Sequence, residues 1–173
     1  MIDNLKDYPR PYMGPMICFD PGSTGTGIAF FKSGQTIPSQ YESVLSDNRG
    51  LESTKWLDNC DNILQKVKLY LHTSITIPQG SPVFIEQPQF FSTHTGYKSA
   101  ATNSLAKLIF FYGRLWEMCR NFQFQPVAIP ILTWKGQMQK IQVQYRVKRA
   151  IGIEIDSHAC DAVGIGLYMR DKL

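Results

Sequence analysis

Three carboxylates stand apart from the other acids of this 173-residue chain, each at the edge of an apolar segment. Asp20 closes the run Met16-Ile17-Cys18-Phe19-Asp20, and a glycine-rich loop, Pro21-Gly22-Ser23-Thr24-Gly25-Thr26-Gly27, follows it. Glu86 ends Val83-Phe84-Ile85-Glu86. Asp161 lies in Ser157-His158-Ala159-Cys160-Asp161-Ala162, three residues after His158, so a helix there would project both from one face. A buried carboxylate must be paired or bound to a metal. Isolated acids on separate elements therefore point to a hard-metal site assembled by folding. Asp20, Glu86, His158 and Asp161 could share two divalent ions roughly 4 Å apart, the arrangement used for in-line phosphodiester hydrolysis. One ion would orient and acidify the attacking water, and the other would stabilise charge on the leaving 3′ oxygen. Oxygen-rich ligation favours Mg²⁺, with Mn²⁺ able to substitute, over zinc. The glycines after Asp20 leave room for backbone, or a bulky anionic substrate, to approach.

Plainer roles stay open at each position. Asp20 could satisfy turn amides, Glu86 could pair with a basic neighbour, and Asp161 could be an ordinary helix-face acid. His158 could be a cap or surface residue, and Asp156 or Ser157 is a candidate N-cap for its helix. His72 and His94 have no evident partners.

The elements that must position these residues read as an alternation of strands and helices. Met16–Asp20, Thr26–Lys32 and about Thr36–Leu45 read as a three-stranded meander. Ser53 or Thr54 could cap a helix running to about Leu71, whose apolar positions Trp56, Leu57, Cys60, Ile63, Leu64, Val67 and Leu71 follow the helical period. Val83–Glu86 is a fourth strand stopped by Pro88, and Ser92–Ser99 a polar loop. A helix from about Ser99 to Asn121 is apolar nearly all round over Leu105–Trp116, as expected of a helix buried on several sides, either wholly inside the core or between the sheet and another subunit. Pro126–Ile131 is a fifth strand, Thr133–Met138 a basic loop, and Gln139–Ile151 and Ser157–Arg170 two further helices. This order predicts an α/β fold: one mixed five-stranded sheet with helices on both faces. Residues 1–15, with Pro9, Pro11 and Pro15, are expected to be a flexible lead, and residues 16–173 a single domain.

Hydrophobic residues make up 43% of the chain and charged residues 18%, which excludes a disordered polypeptide. No apolar stretch reaches transmembrane length and the start lacks a signal-peptide pattern, so a cytoplasmic protein without membrane contact is expected. The four cysteines, without a CxxC, read as buried reduced thiols. The net charge is only +4, but it is unevenly placed: between Glu86 and Glu154 the sole acid is Glu117, against Lys98, Lys107, Arg114, Arg120, Lys135, Lys140, Arg146, Lys148 and Arg149. A solvated face is the plain account of this half, and a phosphate-tracking surface the better one.

The segment Asp20-Pro21-Gly22-Ser23 … Thr26-Gly27 resembles the first signature of the RuvC-type Holliday junction resolvases. Ile85-Glu86-Gln87 resembles the second and His158-Ala159-Cys160-Asp161-Ala162 the last, with Lys140 … Gln142-Val143-Gln144 similar to the family's basic helix. The likeness spans about residues 16–170, with the motifs in order. It implies a ribonuclease H-like fold and a metal-dependent endodeoxyribonuclease that acts as a homodimer, each subunit nicking one of two symmetric strands of a DNA four-way junction. By motif position it implies Asp20, Glu86, His158 and Asp161 as catalytic and metal-site residues, with two Mg²⁺ per site. His158 falls where the family has Asp or His. Lys135 and Lys140 fall near phosphate-contacting positions, Lys98 is a looser candidate, and Arg146, Lys148 and Arg149 extend the DNA-binding surface. The family's aromatic wedge position holds Gln89 here, and Phe90 and Phe91 follow; either could unstack bases at the crossover, or both could be core. The small size fits a phage or bacterial source.

Three other readings compete. The same chemistry could act on flaps and forks. A catalytically inactive junction-binding protein would keep the basic surface alone. The Asp-x-Gly-Ser-Thr pattern is also similar to the first phosphate loop of actin-like kinases and ATPases, which need a second such loop and far more chain.

Overall fold

In the computed structural model, described here for residues 5–22, 24–46, 56–73, 77–89 and 104–173, five strands form one sheet in the order β3-β2-β1-β4-β5. These are β1 (Met16–Asp20), β2 (Gly25–Phe31), β3 (Gln40–Leu45), β4 (Pro82–Gln87) and β5 (Gln125–Pro130). The β1–β2 and β2–β3 pairs are antiparallel, the meander expected of the first third, whereas β1–β4 and β4–β5 are parallel. The helices are α1 (Trp56–Thr73), α2 (Ser104–Asn121), the single turn α3 (Ile131–Trp134), α4 (Lys140–Ile151) and α5 (Ser157–Met169).

The period-two alternation of strands decides which acids can meet. Along β1, Ile17 and Phe19 pack with Cys60, Ile63 and Val67 of α1 and with Phe111 and Leu115 of α2. Met16 and Cys18 face the other way, onto Val163, Ile165 and Leu167 of α5 and Val143 and Val147 of α4. Asp20 continues the Met16–Cys18 row and Glu86 continues Phe84 of β4, which lies in that same cluster. Both acids are thereby aimed toward α5, the helix that carries Asp161. With helices on both faces, β1 is buried on both sides, which is why it reads as an unbroken apolar run.

Helix α5 lies close on the sheet because its contacts are small. A Cβ on Gly27, the residue opposite Asp20 in the β1–β2 register, would overlap the carbonyl of His158. A Cβ on Gly166 would overlap the Phe31 ring. The start of α5 is fixed by Asp156, whose side chain accepts from the backbone N–H of His158 at 3.0 Å. Ser43 of β3 donates to Asp156 and accepts from Ala159 N–H at 2.9 Å, tying the helix start to the sheet. Helix α4 opens with a reciprocal cap between Gln139 and Gln142 and ends at Gly152, whose φ of 83° suits glycine.

Several expectations are corrected. Residues 5–15 are docked rather than a flexible lead. Tyr8 and Tyr12 pack edge-on against Phe84, Tyr12 N–H bonds Met169 O at 2.8 Å, and the buried Arg170 donates to the carbonyls of Tyr12, Gly14 and Lys32. The basic loop at 133–138 begins inside a helical turn, α3. And α2 buries only one stripe, Phe111, Leu115 and Cys119; its other apolar side chains include Ile109 and Phe110, 52% and 45% exposed. The meander's third strand starts at Gln40, later than expected, because residues 33–39 form the turn. The caps expected at Ser53 or Thr54 and the start of the long helix at Ser99 lie outside the described residues. All four cysteines are buried and unpaired, and among the described residues no helix is long and apolar enough to cross a membrane.

Candidate active site

Asp20 and Glu86 end adjacent parallel strands. The register pairs Phe19 with Ile85, so the acids occupy the next step on strands about 4.8 Å apart. Asp161, one turn into α5, faces the same edge. The site is thus built by two strand ends and one helix start, with α3 closing it from the end of β5.

Each carboxylate has its own neighbour. Asp20 Oδ2 lies 2.9 Å from His158 Nδ1, an N–H donor to the carboxylate, and the other edge of the ring packs over Gly25. Glu86 Oε2 accepts from Trp134 Nε1 at 2.9 Å. Lys135 Nζ, the next residue along, is 3.7 Å from Asp161 Oδ1, an ion pair too long to be a hydrogen bond. Asp161 Oδ1 is therefore a buried oxygen without a hydrogen-bond partner.

The electrostatics show that these groups share one environment. Burial pushes the Glu86 carboxyl up to about 8, and the charges of Asp20 and Asp161 push in the same direction against the Trp134 bond and Lys135. Burial, then Asp20, also raises Asp161, while Lys135, Lys140 and His158 oppose it. His158 is raised first by its bond to Asp20. Mutual repulsion among buried acids marks a place where a cation would be favoured.

Among the described residues no three His, Cys, Asp or Glu side chains form a ready ligand set, and Asp20 and Glu86 make their side-chain hydrogen bonds to His158 and Trp134. The donor chemistry nevertheless fits a hard divalent ion: carboxylate oxygens at one sheet edge, one of them buried and unpartnered.

Of the residues singled out in the sequence, Asp20, Glu86, His158, Asp161 and Lys135 meet at this edge, and the charge of Lys140 acts on both His158 and Asp161. Arg146, Lys148 and Arg149 lie further along α4, with Lys148 paired to Glu154 at 3.0 Å. Lys98, Phe90 and Phe91 lie outside the described residues. Trp134 was not singled out. Its buried position comes from α5, where a Cβ on Gly164 would lie 2.7 Å from its ring. The one signal in the sequence was an indole inside an otherwise polar loop, beside a candidate lysine.

Comparison with solved structures bears on the fold. The structure of Thermus thermophilus RuvC in complex with Holliday junction substrate superposes with a TM-score of 0.64 at 18% identity, covering 90% of this chain and 92% of that one. The chain has the RuvC fold. A second Thermus thermophilus RuvC structure gives 0.62 at 20% identity, with the same coverage. The mixed sheet flanked by helices is thus the ribonuclease H-like arrangement that the motif resemblance implied. No family model matches the sequence, and comparison with curated proteins gives no match.

Proposed function

We propose that this protein is a metal-dependent, structure-selective DNA endonuclease that resolves four-way junctions by paired symmetric nicks. The observation that carries the reading is that Asp20, Glu86 and Asp161, from three separate elements, lie within electrostatic reach of one another at one edge of a RuvC-type sheet. The Thermus RuvC of the same fold is seen with Holliday junction substrate, which supports branched DNA as the ligand here.

Asp20, Glu86 and Asp161 would hold two Mg²⁺ or Mn²⁺ ions, with His158 as a fourth ligand or a contact to the scissile phosphate. Such ions acidify the attacking water and take up charge on the departing 3′ oxygen. The remaining work falls to the chain. His158 orients the Asp20 carboxylate, Trp134 orients that of Glu86, and Lys135 and Lys140 offset the negative charge brought by the phosphodiester. Paired nicking needs two copies, and the exposed apolar face of α2 is the surface for that association.

The test is cleavage of a labelled four-way junction, a flap and a linear duplex in Mg²⁺ or EDTA. Symmetric junction nicks lost in EDTA support the reading. Equal cutting of flaps broadens the substrate to branched DNA in general. Tight junction binding without cutting in any divalent metal overturns the nuclease.

A further inference from the structure

Helix α4 carries a second feature, remote from the acids. A groove of about 660 Å³ lies between α4, the far end of α5 and the turn after β2, lined by Thr36, Ile37, Tyr145, Arg146, Arg149 and Lys172 among others, with no Asp or Glu side chain in its walls. The nearby carboxylates are engaged elsewhere: Glu154 with Lys148 at 3.0 Å and Asp171 with Arg10 at 2.6 Å. Among the described residues, Arg146, Arg149 and Lys172 thus have no acidic partner.

The outer face of α4 is also unusual in its apolar content. Val143 and Val147 face the core, as an amphipathic helix requires, but Ile141 and Tyr145, one turn apart, are 69% and 67% exposed. They line a hollow with Gln142 and Arg146 that adjoins the groove through Tyr145 and Arg146. Guanidinium groups interleaved with an exposed tyrosine suit a sugar–phosphate strand: the cations meet phosphates, the phenol donates to a phosphate oxygen, and the ring covers sugar. A protein partner of ordinary mixed charge would leave these cations uncompensated.

Position adds the rest. The helix begins at Lys140, whose charge reaches Asp161, and Arg149 lies nine residues on, about 13 Å along the axis. The turn after β2 sits beside Met16, four residues from Asp20 along β1, again about 13 Å away. At 3.4 Å per nucleotide along one strand, that is about four base pairs from the acids.

We infer that this groove grips a duplex arm of the branched substrate, with Arg146, Arg149 and Lys172 on the phosphates of one strand and Tyr145 against its backbone. The inference rests on the junction-nuclease reading and adds to it a contact beyond the cut site.

The experiment compares two four-way junctions in EDTA by fluorescence anisotropy over a salt series, one with hairpin-capped arms of about four base pairs and one with arms of about fifteen. Wild type should bind the long-armed junction at least tenfold more tightly. In the combined Arg146→Ala, Arg149→Ala, Lys172→Ala variant that advantage should vanish, and the log–log salt slope on long arms should fall by two to three, at about 0.9 per phosphate contact. Tyr145→Ala alone should lose part of the advantage. Circular dichroism checks that the variants fold; if the triple variant does not, the single Arg149→Ala should still lower the slope by about one. A triple variant with the wild-type slope and arm-length dependence overturns the groove while leaving the junction reading intact. Wild type that binds a linear duplex, measured alongside, as tightly as either junction overturns the junction reading, and the arm contact with it.

Discussion

Trp134 Nε1 donates a 2.9 Å hydrogen bond to Glu86 Oε2, joining the turn after β5 to the carboxylate at the end of β4. The indole is buried under α5 and held there by the absence of a side chain at Gly164. Hydrogen bonds to charged groups contribute about 1.5–3 kcal/mol, so this donor favours an ionised Glu86 at a site where burial and two other acids oppose it.

Trp134→Phe keeps the ring and removes the donor. Glu86 should then stay protonated to higher pH, and junction nicking at low Mg²⁺ should fall about tenfold, recovering in part as Mg²⁺ is raised. Nicking rates across a Mg²⁺ titration check this. A curve that overlays wild type would remove Trp134 from the site's machinery.

Stability should carry a pH signature of the same crowding. Glu86, Asp161 and His158 are all raised in the folded protein. For such groups the stabilising contribution is present below the unfolded value and is lost as pH rises through the folded one. For Glu86 that window runs from 4.5 to about 8. In EDTA, the stability of wild type relative to Glu86→Gln should therefore decline across that window by a few kcal/mol. Mg²⁺ should stabilise wild type more at the top of the window than at the bottom, because it competes with the proton. Urea melts at several pH values measure both effects, and a difference flat with pH would contradict the shared environment.

Arg170 is 1% exposed and donates to three backbone carbonyls, those of Tyr12, Gly14 and Lys32. Arg170→Met would strand them. The expected cost is about 3 kcal/mol, with faster amide exchange concentrated in residues 8–14. Unchanged exchange there would show that the leading segment is held by Tyr8 and Tyr12 alone.

How far all this was legible in the sequence depends on the range of the forces involved. Asp20 and Glu86 were legible because an apolar run of period two ends in each of them, and a strand end is a local property. Asp161 and His158 were legible because the spacing of three fixes a common helix face. The docked lead was not: its order comes from Arg170, more than 150 residues away in the chain, through bonds to carbonyls that leave no mark on side-chain pattern. Trp134 was missed for a similar reason, since its burial depends on a glycine in α5. Helix α2 was legible only in part, because an apolar run states how much surface wants cover and not what supplies it. The glycines after Asp20 look in the sequence like room for backbone or substrate, but Gly25 and Gly27 face the ring and the carbonyl of His158.

The uncovered part of α2 makes its own prediction. Ile109 and Phe110 are exposed on a helix whose inner stripe is already satisfied. Sedimentation should find about twice the 19.7 kDa chain mass for wild type and the single mass for Ile109→Glu, Phe110→Glu. Wild type that sediments as a monomer both with and without junction DNA would leave paired nicking without a structural basis.

The most direct measurement is incision of a supercoiled plasmid that extrudes a cruciform, in Mg²⁺, by wild type and by Asp20→Asn. A single nick relaxes the plasmid and reabsorbs the cruciform, so linear product arises only from two cuts made while the junction persists. The expected result is linear plasmid cut symmetrically at the cruciform base, absent with Asp20→Asn and in EDTA. Intact plasmid with wild type at every Mg²⁺ and Mn²⁺ concentration, despite binding to the cruciform, would contradict the assignment of Asp20, Glu86 and Asp161 as a nuclease site.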